Sequence, residues 1–74
     1  MNRTEARAAY LQILMERVRQ ARHPSEDHMA LLEQALPPQL LPDYIELLVE
    51  KVANDPNPSI SMLKRVGRLT AAAR

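Results

Sequence analysis

Prolines decide what this chain can build. Pro24, Pro37, Pro38, Pro42, Pro56 and Pro58 punctuate it, and Gly67 is its only glycine. Proline lacks an amide hydrogen, clashes with the preceding helical turn, and pushes the residue before it out of the α region. The segments between prolines are rich in alanine, leucine, glutamate, arginine and methionine, all good helix formers. The only aromatic residues are Tyr10 and Tyr44, which leaves little material for a sheet. The spacing predicts an all-α chain of four helices, over Thr4–Arg22, Ser25–Leu36, Pro42–Asn54 and Ser59–Ala72.

Two of the prolines also mark a repeat. Shifted by 34 residues, the chain falls on itself without an insertion. Tyr10 meets Tyr44, Leu14 meets Leu48, Glu16 meets Glu50, Val18 meets Val52, and Pro24-Ser25 meets Pro58-Ser59. Shared apolar spacing alone would not place both Pro-Ser pairs in register with the tyrosines. In each copy the proline closes a linker. The serine is the expected N-cap, its hydroxyl accepting from an otherwise orphaned amide of the first turn. The period equals that of tetratricopeptide arrays. The glycine and small residues of that signature are missing, however, and two units are fewer than a solenoid needs. The expectation is one helical domain over 1–74, built from two helix–loop–helix pseudo-repeats at about 8–36 and 42–70, packed as a compact orthogonal bundle.

Helical periodicity assigns a core to each segment. The first contributes Tyr10, Leu11, Leu14, Met15, Val18 and Ala21. The third contributes Leu41, Tyr44, Ile45, Leu48, Val49 and Val52. The second offers Met29, Leu32 and Leu36, flanked by His28 and Ala35. The fourth offers Met62, Val66 and Leu69, flanked by Leu63 and Ala73. Arg3 and Arg7 continue the Tyr10–Leu14 stripe outward, so the first turns are expected to fray. Ile13 and Leu47, equivalent under the shift, lie off-centre from their stripes. If both are exposed, they mark a symmetric apolar contact of the kind a homodimer uses.

Charge is segregated along the chain. Residues 1–24 carry +3, residues 25–58 carry −6, and residues 59–74 carry +4 with no acid. The first reading is internal complementarity between basic ends and an acidic middle. The second is a basic arc on the last helix, made by Lys64, Arg65 and Arg68, that meets a partner.

Nothing in the chain composes a reactive centre. There is no cysteine, so disulfides and thiolate metal sites are excluded. His23, a linker residue, and His28, expected to be partly buried, lie five apart and lack a third ligand, so no metal is expected. Glu16 and Glu50 fall on solvent faces near Arg19 and Lys51, and no glycine-rich phosphate loop exists. No run of about 18 apolar residues is present for a membrane span, and no signal-like N-terminus precedes the helices. A cytoplasmic, non-enzymatic protein without cofactor, membrane or small-molecule substrate is the expectation.

Two functional expectations follow. The first is a small protein–protein interaction module, an adaptor or regulatory subunit that self-associates, using Ile13, Leu47, Lys64, Arg65 and Arg68. The alternative is a helix-turn-helix DNA binder that inserts its last helix and uses Ser61, Lys64, Arg65 and Arg68. Against it stand the long ANDPNPS linker and the acidic middle of the chain.

Overall fold

The computed structural model describes residues 1–72, and within them all regular structure is helical, with no strand. The helices are α1 (Arg3–Gln20), α2 (Glu26–Ala35), α3 (Leu41–Asn54) and α4 (Ile60–Ala72). A 3-10 turn, Pro38–Leu40, leads into α3. By internal contacts the chain divides into two units, Met1–Pro37 and Pro38–Arg74. The core residue Ala73 expected on the last helix lies outside the described residues.

In the first unit α1 packs on α2. Leu14 and Val18 from α1 and Met29 and Leu32 from α2 are buried, as the periodicity predicts. Pro24, at the entrance to α2, is buried with them. The N-terminus of α1 departs from expectation. In place of a frayed first turn there is a capping box: the Glu5 amide donates to Asn2 Oδ1 at 2.8 Å, and the Asn2 amide donates to Glu5 Oε1 at 3.1 Å. These bonds satisfy donors that a helix start otherwise leaves to water.

Helix lengths explain a second departure. Helix α1 has 18 residues and α2 only 10, which is about 27 Å against about 15 Å at the usual rise. The loop starts α2 at the C-terminal end of α1, so α2 runs out before the N-terminal turns are covered. Tyr10 is therefore 37% exposed rather than in the core, with the Arg7 guanidinium 5.5 Å from its ring centroid. The same geometry lets Arg3 and Arg7 continue the stripe at no desolvation cost. His28, expected to be partly buried, is exposed on the first turn of α2.

In the second unit α3 packs on α4, and the 3-10 turn packs on α3. These helices match in length, 14 and 13 residues. Tyr44 and Leu48 are buried, Tyr44 completely at 0% exposure. Pro42 stands in the first turn of α3, where a residue without an amide hydrogen leaves one donor fewer to cap. Asp55 shapes the linker, accepting from the Asn57 amide at 2.9 Å in an Asx turn.

Both Pro-Ser pairs behave as the sequence predicts. Ser25 Oγ accepts from the His28 amide at 3.0 Å, and Ser59 Oγ accepts from the Met62 amide at 3.0 Å. Their carbonyls accept the first helical bonds, from Met29 at 3.1 Å and Leu63 at 3.0 Å. Beyond the caps the register slips. On α2 the buried positions are Met29 and Leu32, four and seven residues after the serine. On α4 Arg65, six residues after it, is buried, and Met62 and Val66, three and seven residues after it, are half-buried. One residue is a 100° rotation of a helix, so Leu63 turns outward and is exposed. Val49 on α3, also expected in the core, is exposed as well.

Candidate functional site

The basic arc expected on α4 is split by that rotation. Met62, Arg65 and Leu69 are spaced i, i+3 and i+7, which makes one stripe. Arg65 belongs to it and is only 8% exposed, while Met62 and Leu69 are half-buried. Its long aliphatic stem is what allows an arginine to occupy an apolar stripe. Lys64 and Arg68 remain exposed on the far side of the helix.

Ser61, Lys64, Gly67, Arg68 and Ala71 lie together on that open outer face. Three of the four residues expected to touch nucleic acid are therefore together, and Arg65 is apart from them. Gly67 and Ala71 were not singled out from the sequence. The signal was present in their spacing, which carries the Ser61–Lys64 line to the end of the helix. A Cβ built on Gly67 meets nothing within 4 Å, so the face is flat and open there. Ile60, at the head of α4, is 67% exposed and continues the same side.

The outer face of α3 has the opposite sign. Asp43, Glu46 and Glu50 are exposed and spaced i, i+3 and i+7, so they form a single acidic line. Among the described residues, none of Asp43, Glu46, Glu50, Lys64 and Arg68 takes part in an ion pair or a side-chain hydrogen bond.

In the first unit Ile13 is 57% exposed, and Tyr10 and Leu31 are exposed with it. Leu47, its equivalent under the shift, is half-buried. The symmetric apolar pair that the sequence offered is thus one-sided. Glu16 lies on solvent as expected, paired with Arg19 at 3.2 Å and bonded by Gln20 at 3.2 Å.

Among the described residues, no group of three or more His, Asp or Glu side chains is arranged to hold a metal ion. Among the described residues, no helix is long and apolar enough to cross a membrane. No protein-family model matches the chain, and neither a curated protein nor a solved structure shows significant similarity to it. The residues themselves must carry any functional reading.

Proposed function

We propose that this chain is a non-enzymatic, helical protein–protein interaction module, an adaptor or regulatory subunit that self-associates. One observation carries the reading. Among the described residues, seven large apolar side chains are exposed, against six hydrophobic residues in the buried core. A chain this short buries a modest share of its surface, and association is a usual remedy where disulfides cannot form. Scattered exposed apolar residues are ordinary, but here they outnumber the core. Sedimentation velocity over a concentration series tests the reading. Self-association is expected, and either Ile13→Asp or Ile60→Asp should weaken it without loss of helical circular dichroism. A chain that stays monomeric at every concentration would overturn it.

The helix-turn-helix reading draws on the outer face of α4, where Ser61, Lys64 and Arg68 lie together. The burial of Arg65 removes one of its four contacts. A gel shift over a salt series tests it: phosphate contacts require affinity to fall steeply with salt.

We also infer that the two hairpins descend from one duplicated unit. The matching serine caps and the shared burial of Leu14 and Leu48 support this. The differing surroundings of Tyr10 and Tyr44 and the slipped register of α4 are divergence on this reading. A crystal structure in which the two hairpins fail to superpose through their caps would end it.

A further inference from the structure

Resting on the interaction-module reading, we propose that the outer face of α4 seats the outer face of α3 from a second copy of this chain. Complementary charge and matched spacing carry the argument. Glu46 and Glu50 are four residues apart on α3, and Lys64 and Arg68 are four residues apart on α4. At the helical rise, each pair is separated by about 6 Å along its axis. Two helices laid side by side therefore bring both carboxylates against both cations, in either direction. All four side chains are exposed, and among the described residues none has an ion-pair partner within its own chain.

Charge alone would not hold two copies together, since exposed ion pairs contribute little. The rest of the surface supplies what they lack. Gly67 and Ala71 leave the α4 face without bulk, and nothing lies within 4 Å of a Cβ placed at Gly67. A neighbouring helix can then approach closely and desolvate the charges. Each face also carries an exposed aliphatic residue beside its charges, Ile60 on α4 and Val49 on α3. Every copy presents both faces. The contact is heterologous, α4 of one copy seated on α3 of the next. The second copy is favoured over an unrelated acidic helix because the complementary line is present on this chain with the required spacing.

The test uses the full chain and two charge-reversal variants, K64E/R68E and E46K/E50K, in sedimentation velocity at low and high salt. All substituted positions are exposed, and circular dichroism checks that each variant stays helical. The wild type is expected to self-associate and to dissociate partly as salt rises. Each variant alone should bind itself more than about tenfold more weakly. An equimolar mixture of the two should recover association, because each reversed face then meets an opposite one. Association of K64E/R68E at wild-type strength would overturn the pairing, as would a mixture that stays monomeric. If K64E/R68E associates normally while Ile13→Asp does not, this pairing falls and the interaction-module reading stands. A wild type that is monomeric throughout overturns both. Should K64E/R68E lose binding to a DNA duplex without any change in association, the face belongs to nucleic acid and the pairing is wrong.

Discussion

A serine hydroxyl in each linker accepts one amide at 3.0 Å and starts a helix. Such caps are worth about 1 kcal/mol each. Ser25→Ala and Ser59→Ala should each lower the urea-unfolding free energy by about that amount. The two losses should add, because the serines share no partner. Asn2→Ala removes a capping box at a chain end and should cost less, since the first turn of α1 packs against little. Arg65 tests a different residue-scale claim. If its stem fills an apolar stripe, Arg65→Ala destabilises the fold by about 1–2 kcal/mol, and Arg65→Met by less. A purely solvent-facing arginine, as the sequence suggested, would give no measurable change in either melt.

At the scale of the element, helix length decides what periodicity leaves open. Tyr10 and Tyr44 occupy equivalent stripe positions, yet one lies beyond the end of the short α2 and the other under a full-length partner helix. Tyr44→Ala should therefore cost about 3–5 kcal/mol, in the range of a buried aromatic truncation. Tyr10→Ala should stay within about 1 kcal/mol, losing chiefly its contact with Arg7. Chemical denaturation of both variants checks the contrast, and similar losses would contradict it. The caps and the four helices were legible because they depend on local chemistry: proline's missing amide, serine's hydroxyl, alanine and leucine propensity. So were all six hydrophobic core residues, each of which lies on a stripe read from the sequence. The exposure of Tyr10, Val49 and Leu63 was not legible, because it depends on where a partner helix ends and how it is rotated. For the same reason Arg65 was read as part of an outward arc, although it is three residues from Met62 and four from Leu69.

For the whole molecule, the outer face of α4 separates stability from association. Gly67 is in the middle of a helix, where glycine costs about 0.5–1 kcal/mol relative to alanine. An added methyl group there meets no neighbouring atom. A residue retained only for the fold of one copy would have little reason to be glycine at this position. Close approach of a second copy supplies that reason. Gly67→Ala should thus raise the unfolding free energy of the dilute chain by about 0.5–1 kcal/mol. At high concentration the order should reverse. The wild type melts several degrees higher as association adds to its stability, because anything that binds only the folded state raises the midpoint. The alanine variant, with a methyl group standing in the contact, should show a smaller rise. Thermal melts of both proteins across a concentration series decide the matter. Parallel curves, with the variant more stable throughout, would mean that nothing approaches this face closely enough to feel a methyl group.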